Sequence, residues 1–79
     1  MRLDKYLKIS RIIKRRTIAN EVCDAGKVVV NGNKAKASYD IKVGDKLELN
    51  MGGKTLKAEV LSLCEHVRKE EASQMYKIL

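Results

Sequence analysis

An α+β fold follows from a change of hydrophobic period part-way along the chain. Up to residue 25 the apolar residues recur at three- and four-residue intervals, as on a helix. After Gly26 they form a β-branched run, Val28-Val29-Val30, and then an alternation, Lys46-Leu47-Glu48-Leu49-Asn50-Met51. Helical pieces followed by strands, with no repeat or low-complexity linker between them, predict short N-terminal helices packed on a small, mainly antiparallel twisted β-sheet in one domain.

Taken in order, Leu3, Tyr6 and Leu7 space a first short helix, and Ile9, Ile12 and Ile13 a second piece that Ser10 could cap. Asp4 falls in the first turn, where a carboxylate suits the helix dipole. Thr17 has the chemistry of an N-cap for a helix from Ile18 to Ala25, with Ile18, Val22 and Ala25 as the inward stripe and Ala19 and Cys23 beside it. Gly26 is the expected left-handed stop. The valine run, the turn residues Asn31-Gly32-Asn33 and a second extended piece from Lys34 to Ala37 predict a hairpin. Gly44-Asp45 and Gly52-Gly53 bracket a strand from Lys46 to Met51 with one wet face. From Lys54, the residues Leu56, Ala58 and Val60 share a face until Leu61 and Leu63 break the phase, as at a bulge or a strand end. A short helix is expected around Glu70 to Met75.

With 79 residues, the chain is one domain at most, too small to enclose a deep active site. It has 44% apolar and 34% charged residues, enough of the former for a core, so full-length disorder is a poor reading. No apolar run is long enough to span a membrane, and Met1-Arg2-Leu3-Asp4-Lys5 has no signal-peptide character, which leaves the cytoplasm as the expected location. Two cysteines 41 positions apart, neither in a CxxC, are expected as free thiols without a redox role.

The formal net charge of +7 is unevenly placed. Residues 1–17 carry seven Lys and Arg against Asp4 alone, a net +6, whereas the remaining residues, with ten basic and nine acidic groups, carry +1. A merely solvated lysine-rich face would leave these cations repelling one another. Phosphates would relieve that repulsion as counterions are released. Membrane-surface binding is disfavoured by the lack of Trp and Phe. A DNA-reading helix-turn-helix is disfavoured because the second helix carries Glu21 and Asp24 but no Lys or Arg. Tyr6 and Tyr39 could stack on bases, although packing at the core edge is the simpler role for Tyr6.

Catalytic constellations are missing from this sequence. His66 is its one histidine and lies two residues from Cys64, which with Cys23 supplies too few ligands for a structural zinc. Gly52-Gly53-Lys54 is a turn rather than a phosphate cradle, and Asp45 a turn former rather than a catalytic acid. No enzyme activity, cofactor or metal is expected. The RNA-binding residues expected are Arg2, Lys5, Lys8, Arg11, Lys14, Arg15, Arg16 and Thr17. Arg2 and Arg16 lead them: Leu3 and Leu7 facing the core send Arg2 to the open end of the first helix, and Arg16 sits beside the open amides of the second. As exposed charges, both should be replaceable without loss of folding.

Four segments carry a family resemblance: Arg2-Leu3-Asp4-Lys5-Tyr6-Leu7; Arg15-Arg16-Thr17 with Ala19; Gly26-Lys27-Val28-Val29-Val30-Asn31-Gly32; and Gly44-Asp45-Lys46-Leu47. As an ordered set they resemble the RNA-binding domain named after small-subunit ribosomal protein S-four. The resemblance covers residues 1–50 as the domain core, leaving 51–79 as a C-terminal strand and short tail that complete the same domain. Where the family commonly has Ser-Arg at the turn, this chain has Arg15-Arg16, so Arg16 takes the arginine position and a charge replaces the small cap. Larger members attach the domain to a pseudouridine synthase or a tyrosyl-tRNA synthetase, for which this chain is expected to have no room. It is similar instead to free-standing members of bacterial ribosome-associated quality control, a likeness that Lys69-Glu70-Glu71-Ala72 and Met75-Tyr76 extend into the tail. That resemblance implies a monomer that binds the obstructed large ribosomal subunit, touching ribosomal RNA and peptidyl-tRNA. It also implies support of template-free alanine tailing by an RqcH-type factor. The alternative is a small RNA-binding regulator, or a heat-shock-type ribosome-recycling factor, uncoupled from tailing.

Overall fold

The computed structural model describes residues 1–79. In chain order the elements are α1 (Leu3–Ile9), α2 (Arg16–Asp24), β1 (Val28–Val30), β2 (Asn33–Lys34), β3 (Lys46–Met51), β4 (Lys54–Val60), a 3-10 helix (Lys69–Met75) and β5 (Tyr76–Ile78). The strands form one antiparallel sheet in the order β2-β1-β3-β4-β5. Leu3, Tyr6 and Leu7 of α1 are buried in one core with Val28, Val30, Leu47, Leu49 and Val60 of the sheet. The expected α+β architecture is therefore present.

The second helical piece expected after Ile9 does not form. Ser10 is the C-cap of α1 instead, its hydroxyl donating to the Leu7 carbonyl oxygen at 3.3 Å. Arg11 follows with φ 61°, a left-handed conformation that ends the helix and turns the chain. Ile13 still reaches the core, but from a bend whose amide donates to the Leu7 carbonyl at 3.0 Å. The periodicity through residues 9–13 thus reports burial rather than helix.

α2 begins earlier than Thr17. Arg15 is the N-cap, with no side-chain cap bond, and Thr17 stands at the second helical position. The inward face is also turned, by about one residue or ~100°. Ala19 and Cys23 are buried whereas Ile18 is 39% exposed. Two polar anchors on the adjacent row explain this rotation: Asn20 donates to Asp4 at 3.2 Å, and Asp24 accepts the Ala37 amide at 3.0 Å. Small Ala19 and Cys23 then face the body, where larger side chains would hold the helix away. At the C-terminus Gly26, at φ 76°, donates to the Cys23 carbonyl, and Lys27 donates to that of Val22, a Schellman stop as expected.

Asn31 and Gly32, with φ 51° and 85°, make the two-residue turn between β1 and β2. The second arm is shorter than the expected Lys34–Ala37, because the Ala37 amide leaves the ladder for Asp24. Asn31 also ties this hairpin to the next turn, its Nδ2 donating to Asp45 at 3.0 Å and its Oδ1 accepting from the Lys46 amide at 2.9 Å. β3 alternates as expected, with Leu47 and Leu49 buried. β4 ends at Val60, so the phase break at Leu61 is a strand end.

β5 was not anticipated. Tyr76 pairs with Val60 and Ile78 with Ala58, so the C-terminus forms one edge of the sheet. Just before it, the Met75 carbonyl accepts the buried Tyr6 hydroxyl at 2.8 Å and the amides of Leu61 at 2.8 Å and Ser62 at 3.2 Å. Tyr6 is therefore a core residue that joins α1 to the tail, and burial raises its phenol above the ordinary range. Tyr6→Phe should cost about 1 kcal/mol, since the two amides still satisfy the carbonyl, and Tyr6→Ala about 3–5 kcal/mol. Urea unfolding followed by circular dichroism measures both. Equal losses for the two substitutions would contradict this role for the ring.

Candidate nucleic-acid interface

The first turn of α1 is held by backbone rather than left open. The amides of Leu3 and Asp4 donate to the carbonyls of Tyr39 (2.8 Å) and Ala37 (3.2 Å), and that of Lys5 donates to Asp4 Oδ1 (2.8 Å). The N-terminal ammonium contacts Asp40 at 2.7 Å. Arg2 therefore does not stand at an open helix end. Its position is set by Asp4, whose carboxylate is buried.

Asp4 is the centre of the site. Arg2 Nε donates to Oδ1 at 3.1 Å and Arg16 Nε to Oδ2 at 3.5 Å, alongside the Asn20 bond to the same Oδ2. Burial is the largest influence on this carboxyl and pushes its pKa up. The hydrogen bonds from Arg2, Asn20 and the Lys5 amide, with the Arg16 charge, together outweigh burial and hold the group below the ordinary range. The two arginine side chains remain about half exposed, 50% and 49%. One edge of each guanidinium faces the carboxylate, and the exposed remainder is open to a phosphate. An open depression of about 410 Å³ beside them is lined by Asp4, Arg16, Thr17, Asn20 and Glu21. The amides of Arg16, Thr17 and Ile18 precede the first helical bond of α2, from Ala19 to the Arg15 carbonyl at 3.0 Å.

The other expected residues are dispersed. Lys14 and Arg15 are exposed on the connection and make no ion pair. Lys5 is directed to Glu65 at 3.0 Å. Lys8 and Arg11 line a separate cleft with His66 and Arg68, two residues that the sequence reading did not place at any interface. Asp4 and Asn20 were likewise missed as organisers. A helix-dipole role explains Asp4 locally, and no spacing rule joins residues 2, 4, 16 and 20.

Cys23 is buried, and burial, reinforced by Asp4 and Asp24, pushes its thiol up to about 12. Cys64 is exposed, and its Sγ donates to the His66 carbonyl at 3.4 Å. No group of His, Cys, Asp and Glu side chains is arranged to hold a metal ion.

A small antiparallel sheet carrying two N-terminal helices, with a buried aspartate pairing the arginine that precedes α1 and the one that opens α2, defines a class that comparison identifies. Residues 1–47 match the S4 domain, and the chain belongs to that family. Over all 79 residues it is 54% identical to the RQC P-site tRNA stabilizing factor of Bacillus subtilis (strain 168), covering 92% of that protein. It is 54% identical over 79 residues to the protein of the same name from Streptococcus pneumoniae, covering 90% of it. Among solved structures, Heat Shock Protein 15 of Vibrio cholerae, described as trimeric, superposes with a TM-score of 0.92 at 31% identity, over 100% of this chain and 81% of the other.

Since the carboxyl of Asp4 is depressed in the folded state, its stabilisation is fully present above the unfolded carboxyl value near 3.8 and is lost as pH falls through the lower folded value. Asp4→Asn should therefore flatten the acid limb of a stability-versus-pH curve, and an unchanged limb would contradict the assignment. Arg2→Ala and Arg16→Ala should each also cost about 1 kcal/mol of stability, because each removes a partner of a buried charge. For the cysteines, a disulfide reagent should modify Cys64 in the native protein and reach Cys23 only on unfolding. Rapid modification of both thiols would be inconsistent with the burial of Cys23.

Proposed function

We propose that the protein is a non-catalytic RNA-binding factor of ribosome-associated quality control, with an RqcP-type role on the obstructed large ribosomal subunit in the cytoplasm. On this reading it touches ribosomal RNA and P-site peptidyl-tRNA together and supports alanine tailing by an RqcH-type factor. The observation that carries the reading is the Arg2–Asp4–Arg16 cluster, found in a chain similar along its whole length to the named stabilizing factors. Two guanidiniums fixed across one carboxylate offer a paired, pre-ordered grip on phosphate, which loose surface lysines do not. Lys5, Lys8, Arg11, Lys14, Arg15 and Thr17 complete the proposed footprint. Similarity to the heat-shock protein is weaker, 31% identity, so a recycling role uncoupled from tailing is the second choice.

Co-sedimentation with large subunits tests this. Binding should fall steeply with salt, with about 0.7–0.9 units of log-log slope for each of about four to six phosphates. Arg2→Ala and Arg16→Ala, under conditions where both remain folded by circular dichroism, should each lose about 1–3 kcal/mol of binding. Folded variants that sediment like the parent would remove the cluster from the interface. Tailing is read separately, from the length of alanine tails made on obstructed subunits with and without the protein. A single copy per subunit is expected by mass measurement of the complex.

A further inference from the structure

We propose that the cleft between the C-terminal end of α1 and residues 65–68 is a second phosphate-binding subsite, occupied by RNA backbone. The inference rests on the RNA-binding reading above and extends the footprint into a part of the chain beyond residues 1–47, those matched by the S4 domain. The cleft, about 520 Å³ and open to solvent, shares no lining residue with the depression beside Arg16. Along α1, seven residues of helical rise put it about 10 Å from the Arg2 end.

Its walls are built rather than fortuitous. On the helix side stand Lys8 and Arg11, the latter in the left-handed conformation at φ 61° that turns the chain beside the cleft. On the other side stand His66 and Arg68, while Ile9 and Val67, packed against the core, anchor both walls. Glu65 is the one acid in the lining, and its carboxylate is engaged by Lys5 at 3.0 Å. Lys8 and Arg11 make no ion pair, and Arg68 has only a long contact with Glu71, 3.9 Å, at 81% side-chain exposure. Three cations therefore line one cleft with little internal compensation, and His66 adds an imidazole ring. The C-terminal dipole of α1 opposes an anion here. It is blunted because Ser10, Arg11 and Ile13 donate their amides to the carbonyls of Tyr6, Lys8 and Leu7. Phosphate satisfies this donor set better than a carboxylate does, since it has more acceptor oxygens and carries its charge at the regular spacing of a nucleic-acid backbone.

The test compares Arg11→Ala/Arg68→Ala and Arg68→Lys with the parent, each checked for folding by circular dichroism. Affinity is measured as a function of salt for a fluorescein-labelled RNA hairpin, and for large subunits by co-sedimentation. Loss of two phosphate contacts should lower the salt slope by about 1.5 units and weaken both interactions by about tenfold, while Arg68→Lys keeps the parent slope. An unchanged slope and affinity in the double variant, with binding still lost in Arg2→Ala or Arg16→Ala, would overturn the subsite and leave the functional reading standing. Unchanged binding in all these variants would instead sink that reading first. If hairpin binding is unaltered and only co-sedimentation falls, the cleft meets a protein surface and the RNA assignment is wrong.

Discussion

A buried carboxylate must be compensated where it sits, and in this protein that requirement organises the N-terminal third of the chain. Asp4 is 2% exposed and receives Arg2, Arg16, Asn20 and the Lys5 amide. Leaving such a charge unpaired is costly, so residues 12 and 16 positions along the chain are drawn to α1. The phase of α2 follows: with Asn20 directed to Asp4 and Asp24 to the Ala37 amide, Ala19 and Cys23 face the core and Ile18 is turned out. The two arginine side chains that neutralise Asp4 remain about half exposed, so groups that meet a structural need also stay accessible on the surface.

The excess charge of residues 1–17 resolves into groups of different character. Arg2 and Arg16 are fixed by the carboxylate, Lys5 is turned toward Glu65, and Lys8 and Arg11 share a cleft with His66 and Arg68. Lys14 and Arg15 remain unpaired on the exposed connection. A cation held in place loses less freedom on meeting a phosphate, whereas a free one adds mainly to the long-range field. Net charge alone could not have separated these groups.

The sheet positions the helices and closes on the tail. Tyr6 reaches from α1 to the Met75 carbonyl, 69 positions away, and the same carbonyl takes the amides that follow β4. The C-terminal segment is thereby part of the domain that presents the basic surface, and its 65–68 stretch contributes one wall of the second cleft.

Residue order by itself determined the α+β class, the hairpin at Asn31-Gly32, strands β3 and β4, the glycine stop of α2 and the basic character of the first 17 residues. Each of these rests on local chemistry: side-chain period, turn propensity or charge count. Tertiary structure alone decided that residues 10–14 bend instead of continuing as helix, that α2 starts at Arg16 with a rotated face, that Tyr76–Ile78 joins the sheet, and that Arg2 and Arg16 meet at Asp4. Periodicity marks which residues are buried but not the backbone path that buries them, which is why Ile12 and Ile13 imitate a helix. The pairing of Asp4 with Arg16 and Asn20 depends on the packing angle of two helices and on the low polarity around one carboxylate, and those exist only once the core has formed.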